Sequence, residues 1–487
     1  MLIRNASIVP VTAAGPPHPV DVLVEGELVT AVGPGLARTD LGRGHEQYDA
    51  DGRWLIPGLW DQHVHAGQWA RASTRLDLSS ARSPEEALDR VRERLWERPG
   101  EPLVGAGQRA GSWPRPVTVT ELDAVAGPTP VVLINSDFHH AWISTAALDA
   151  LGIPRRDTVV SETEWYAASP GLDALEAAAA TPAAYARMLR AAASLGVVGL
   201  ADFEFGAHHD AWVQRWDAGC DLLRIRCATY DLDTFAGGRT GDPLRPGLTL
   251  GPLKIISDGS LGTRSAWCCR PYADTGAYGA PNLPAADLEE QLTRAHAQGV
   301  AVATHAIGDR AVEVALDAYA RTGARGSIEH AQLIRPQDVG RMAALGLVAS
   351  VQPAHLLDDR DVAERVWPGQ GERSFAFRWM RDAGVTLALG SDAPVAPLDP
   401  WLAIAAAVHR SSDARAPWHP GQALTVGEAL AASVDGQPTV GVGSRADLAL
   451  LDHDPLAADP EQLRAMPVAL TTVAGRVVHD AMGSRPR

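Results

Sequence analysis

Lysine is almost missing from this chain. Of its 43 basic residues, 42 are arginine and one, Lys254, is lysine. Arginine supplies the generic positive charge, so the surviving amine raises the question of what it does that a guanidinium cannot. An amine can lose its proton and act as a nucleophile, whereas arginine stays charged. Cysteine is sparse as well. Cys220, Cys227, Cys268 and Cys269 follow no zinc-finger spacing and suggest no disulfide framework, and the adjacent pair is poorly placed to bridge. Aromatic residues make up 6% of the chain. No run approaches the roughly 18 uninterrupted apolar residues of a membrane span. The stretch from Met1 to Pro10 lacks the apolar core of a secretory signal. Positive charge is in deficit: 43 basic against 59 acidic residues leave a net charge of −16, which argues against nucleic acid or an anionic membrane as partner. A cytoplasmic protein acting on a small molecule is expected, with a homodimer left open.

What is present is ample material for a core. The 487 residues are 46% hydrophobic and 21% charged, which excludes disorder and collagen and allows about three domains or one large barrel with attachments. Both ends read as short strands. Leu2 to Arg4, Ser7 to Val9 and Asp21 to Val29 near the start are matched by Asp447 to Leu451, Val468 to Val473 and Val477–Val478 near the end. The middle repeats a short apolar strand, a polar tip and an amphipathic helix. Val300 to Thr304 runs to His305, and the next helix carries Val312, Leu316 and Tyr319 on one face. Leu55 to His65, Gly196 to Glu204, Leu223 to Tyr230, Leu253 to Asp258, Ser327 to His330, Leu347 to Gln352 and Val385 to Gly390 complete eight candidate strands. Eight strands alternating with helices predict an α/β fold, a TIM-like (β/α)8 barrel. The predicted division is a composite β-sandwich from 1–56 and 441–487, a barrel from 57–66 and 186–440, and an insertion over 67–185 that could cover the barrel mouth. The insertion has one clear strand, Val131 to Asn135, and an Ala-rich helical stretch through Ala174 to Ala193.

His63 and His65 end the first barrel strand. Residues i and i+2 of a strand share a face, so both imidazoles project to one side, as half of a zinc site would. Alone this spacing is weak, for His139–His140 and His208–His209 show how readily histidines cluster here. The later strands add weight. His305, His330 and Asp392 lie at predicted C-terminal strand tips and Lys254 lies within a strand, at the face where barrel enzymes build their sites.

This pattern resembles the metal-dependent amidohydrolase superfamily. More narrowly, it resembles the amidohydrolase-3 group of YtcJ-like proteins and N-substituted formamide deformylases. Further matching stretches are Leu253 to Ser265, Thr304 to Arg310, Ile328 to Ala331, Ser350 to His355, Gly390 to Val395 and Gly443 to Leu448. The resemblance implies that His63, His65 and Asp392 bind a more buried metal and His305 and His330 a more exposed one. Lys254, carboxylated on its amine, would bridge them, a modification arginine cannot undergo. It further implies two zinc ions about 3.5–4 Å apart sharing a hydroxide, with Asp392 as general base and then general acid in cleaving an amide-type C–N bond. A single metal is the alternative if Lys254 is not carboxylated.

The chain departs from the group near the insertion, with Asp137-Phe138-His139 where Asp-Gly-His is common, and with a short stretch from Val159 to Trp165. Candidate substrate contacts are His355, which follows a strand tip and could contact the exposed metal instead, and Arg264, Trp69, Trp113 and His139. Tryptophan supplies 14 of the aromatic residues, so core or lid packing competes with recognition for each. Two other functions stay open at this point. One is hydrolysis of an ester, lactone or phosphoester by the same hydroxide; the other is a metal-free binding protein.

Overall fold

The run from Leu55 to His65, expected as one strand, is divided between two sheets at Pro57–Gly58. Trp54–Pro57 pairs with strands from both chain ends, and Leu59–Val64 opens the barrel. Proline removes a donor from the ladder. Gly58 passes so close to the next strand that a Cβ there would lie 2.2 Å from Val198 Cγ1. The computed structural model describes residues 1–108, 110, 113–135, 140–168, 171–176, 181–206 and 209–482.

Eight parallel strands follow one another in sequence order: β1 (Leu59–Val64), β2 (Val197–Asp202), β3 (Arg224–Thr229), β4 (Leu248–Ile256), β5 (Val302–Ala306), β6 (Gly326–His330), β7 (Val348–Val351) and β8 (Thr386–Leu389). The sheet nearly closes on itself just past β8. There the Asp392 N–H donates to the His63 carbonyl at 2.7 Å and the His65 N–H to the Ala393 carbonyl at 2.9 Å. This is the expected α/β, TIM-like barrel. The helix Asp309–Thr322 buries Val312, Leu316 and Tyr319, as the apolar period requires. The connection from β3 to β4 differs: it carries a 3-10 turn, Leu232–Phe235, and a short strand, Pro243–Arg245, that pairs antiparallel with β4. Pairing in register puts Ile256 beside His305 and Ala306 beside His330, so the polar ends of consecutive strands arrive at one level.

The two chain ends build a mixed sheet in the order Arg476–Asp480, Val468–Val473, Leu448–Leu451, Trp54–Pro57, Leu2–Ile8, Val20–Glu25, Leu28–Gly33, with Gln47–Asp49 beside Leu2–Ile8. Two of its elements differ from expectation. Leu2–Ile8 is one strand interrupted by a bulge at Asn5, whose φ is +53°, so its first half pairs with Val20–Glu25 and its last two residues with Trp54–Pro57. Asp21 to Val29 is a hairpin, because Gly26 (φ +58°) turns the chain between two strands. Val22, Val24, Leu55, Leu448 and Leu450 share the core of this sheet.

Residues Ala70–Tyr185 form a second compact unit. Its sheet runs Val160–Ser161, His140–Ile143, Val131–Asn135, Leu103–Gln108, Leu76–Asp77, five strands where the sequence suggested one. Trp142 is fully buried there, its Nε1 donating to the Thr118 carbonyl at 2.8 Å. The Ala-rich helix begins only at Pro182 and ends at Ala193, since proline suits the first helical turn and opposes continuation from upstream.

Candidate active site

His63 is the buried hub of the site, 1% exposed. Its Nδ1 lies 2.6 Å from Glu329 Oε2, which makes Nδ1 the protonated nitrogen and leaves Nε2 as a lone-pair donor. That Nε2 is 3.4 Å from Lys254 Nζ and 3.6 Å from Asp392 Oδ1. His65 Nε2 lies 3.3 Å from the same Asp392 oxygen. One ligand-type atom from each of His63, His65 and Asp392 falls within 4.8 Å of the others, and His330, His355 and Asp392 form a second such group.

Burial pulls the His63 and His330 imidazoles below their usual value, and that of His305 down to about 3. Each lowered ring gives up its proton more readily, and the neutral imidazole is the form that binds a cation. Burial works against the Asp392 carboxylate, but His63, a hydrogen bond from His65, His330 and His355 outweigh it and hold Asp392 well below the carboxylate range. Burial also lowers the Lys254 amine, with Glu329 and Asp392 opposing.

Local backbone explains how neighbouring residues converge. Alternation along β6 should send Glu329 and His330 to opposite sides. Glu329 nevertheless bonds His63, and the His330 ring lies 5.1 Å from the same imidazole. The reason is His330's φ of +72°, which turns it out of the strand. Asp392, at φ +58°, is in the same left-handed region. Such strain on side-chain-bearing residues is characteristic of functional sites. Asp61 ties the two ligand-bearing segments together: its Oδ1 accepts from the His63 N–H at 3.1 Å and the Ser391 N–H at 2.9 Å. Burial pushes its carboxyl up to about 6.

All six residues expected as metal ligands, His63, His65, Lys254, His305, His330 and Asp392, line one cavity of about 460 Å³. The His305 and His330 rings, expected to serve one metal together, lie 4.6 Å apart. His305 Nε2 is turned to the Gly259 carbonyl at 3.2 Å, which leaves Nδ1 as the nitrogen for a ligand, while His355 joins His330 and Asp392. The donor set fits divalent cations: neutral imidazoles and a carboxylate converge, and His355 Nε2 is buried with no hydrogen-bond partner, 3.9 Å from Asp392 Oδ2.

The other candidates are dispersed. Arg264 pairs with Asp274 at 3.0 Å and donates to the Leu261 and Gly262 carbonyls. Trp69 is half-buried on the short helix Ala66–Ala72, where its neighbour Gln68, not Trp69, lines the cavity. Trp113 packs edge-on against Trp142 in the core of the 70–185 unit and donates to the Ala81 carbonyl at 3.1 Å. His139 lies outside the described residues. Sequence reasoning did not single out Glu329, Asp61, Gln332 and Asp359. Glu329 sits within a motif that was noticed, but the residue picked from it was its neighbour at the strand tip, His330.

Replacing Glu329 by glutamine, which keeps its size, is expected to lower divalent-metal affinity about 10- to 100-fold by loosening the His63 tautomer and orientation. Titration of the chelated protein with zinc measures this; unchanged affinity would remove Glu329 from the account.

A parallel eight-stranded barrel with imidazole, carboxylate and amine groups gathered at its C-terminal strand ends has the architecture of a metal-assisted enzyme site. The chain belongs to the amidohydrolase family, whose model matches residues 46–479. It is similar to the YtcJ protein of Bacillus subtilis, at 26% identity over 89% of this chain and 90% of that one. To the N-substituted formamide deformylase of Arthrobacter pascens it is 27% identical, with 95% of each chain covered. Its fold is shared with an uncharacterised metal-dependent hydrolase from Pyrococcus horikoshii, with a TM-score of 0.77 at 24% identity over 94% of this chain and 99% of that one. No helix among the described residues is long and apolar enough to cross a membrane.

Proposed function

We propose that the protein hydrolyses a C–N bond in a small amide, of the N-formyl, N-acyl or cyclic amide kind. The observation that carries this reading is the convergence of two His/His/Asp groups sharing Asp392 on a cavity of about 460 Å³. A family relative named for formamide deformylation points to the same bond.

His63, His65 and Asp392 would hold one divalent ion and His305 and His330 the other, with His355 beside the second. Lys254, carboxylated on Nζ, would link them; the modification needs a neutral amine, and burial favours that state. Zinc ions bound there supply carbonyl polarisation and lower the pKa of a bound water towards about 7. Asp392 is ionised at rest. Its oxygen takes the proton of the attacking water and returns it to the leaving nitrogen, so that the amine departs neutral. His65 Nε2 stands 3.3 Å from Asp392 Oδ1 and steadies the carboxylate, while His355 Nε2 is 3.9 Å from Oδ2.

The test is a panel of N-formyl amines, N-acyl amino acids, cyclic amides and lactones, offered to protein supplied with zinc and bicarbonate. At least one amide class should turn over, and chelation should abolish the rate. An inert amide series beside fast lactone turnover would overturn the amide reading, and activity indifferent to chelation would overturn the metal site.

A further inference from the structure

Charge on the cavity wall is one-sided. Among 42 arginines in the chain, none is among the described residues lining the cavity. Its one amine, Lys254 Nζ, lies on the floor against His63 Nε2 at 3.4 Å. The nearest arginines in sequence are committed elsewhere. Arg264 faces Asp274, and Arg360 donates to the Ala416 carbonyl at 3.0 Å. The wall does contain a second carboxylate, Asp359, which is not part of either His/His/Asp group.

Asp359 stands one turn after His355 on the helix His355–Val366, about 6 Å further along its axis. Its Oδ2 accepts from Gln332 Nε2 at 2.8 Å, and Gln332 is itself buried at 3% exposure. That bond fixes the carboxylate and leaves Oδ1 without a hydrogen-bond partner among the described residues. Apolar and aromatic groups complete the wall. Phe205 and Tyr230 stack at 5.2 Å, and Ile256, Leu261 and Val395 add aliphatic surface. A carboxylate with an open oxygen, in a cavity that also presents aromatic faces, suits a donor or cationic group. A second carboxylate in the same place would meet Asp359 and find no arginine on the wall to offset the repulsion.

We infer that Asp359 is a specificity-determining residue, receiving an amine carried by the substrate beyond the scissile bond, and that the cavity rejects substrates bearing a free carboxylate there. The inference rests on the proposed amide hydrolysis and narrows its substrate class to amine-bearing and, next, neutral amides. N-acyl amino acids fall last.

The experiment compares N-formyl derivatives of a primary alkylamine, a diamine and an amino acid of equal chain length, using the metal-loaded full chain. The diamine derivative should exceed the amino-acid derivative in kcat/KM on the order of 10- to 100-fold, the worth of a hydrogen bond to a charged group. The alkylamine derivative should fall between them. Asp359→Asn, which preserves shape, should bring the diamine-to-alkylamine ratio close to one, whatever the absolute rate. A preference for the amino-acid derivative, or an unchanged ratio in the variant, overturns the inference. Matched esters separate this from the parent reading: inert amides beside hydrolysed esters refute amide cleavage, while the charge order among the esters still decides the role of Asp359. The corresponding methanesulfonamides, which resist hydrolysis, give the same order by calorimetric Kd where no turnover is seen.

Discussion

Asp392→Asn is expected to lower kcat about 10²- to 10⁴-fold, the range for loss of a positioned proton-transfer group. The substitution keeps a carbonyl oxygen where Asp392 Oδ1 lies 3.3 Å from His65 Nε2. What it removes is the capacity to hold a proton between attack and departure of the amine. His63 and His65 stay in place through Glu329 and the β1 backbone, so at least one metal should remain bound. Steady-state rates and elemental analysis on the same sample separate the two roles. Loss of turnover with metal retained supports the proton-transfer role, and unimpaired catalysis contradicts it.

Lys254→Arg is expected to reduce activity to background and the metal content by one ion, while the chain still folds. Lys254 is 4% exposed and its Nζ lies 4.6 Å from the Phe203 ring and 3.4 Å from His63 Nε2. A guanidinium in that space is larger, permanently charged and unable to form a carbamate. It would also set a fixed positive charge beside imidazoles that must stay neutral to bind metal. The barrel's apolar core, including Leu253, Ile255, Val302, Ile328 and Val351, remains, so circular dichroism should be close to that of the parent protein. Near-normal turnover in this variant would contradict the bridging role.

Much of the barrel was legible because its strands are short apolar runs ending in polar tips, and each tip residue carries chemistry. His63, His65, Lys254, His305, His330 and Asp392 could be placed in one cavity from strand order alone, since consecutive parallel strands deliver their C-terminal ends to one face. His355 follows a strand tip, which left contact with substrate or with the exposed metal open, and it falls in a ligand-type group with His330 and Asp392. Glu329 was passed over for its neighbour at the strand tip, and both reach one site because His330 has a positive φ, which residue type does not announce. Asp359 and Gln332 have no sequence signature; a carboxylate one helical turn after a histidine is ordinary on any surface. The sheet of residues Ala70–Tyr185 was mostly missed because Leu76–Asp77 and Val160–Ser161 are two residues long, too short to carry a period. Asn5 and Gly26 altered the terminal strands through single backbone dihedrals, which a pattern of residue types does not encode.

Metal stoichiometry is the most direct test of the central claim. Full-length protein is stripped with chelator, re-supplied with zinc and bicarbonate, freed of excess ion and measured by elemental analysis against protein concentration. The account predicts a plateau near two ions per chain. A plateau at one would contradict the bridging of two sites by Lys254, and a chain that takes up none would contradict the metal-assisted hydrolase altogether.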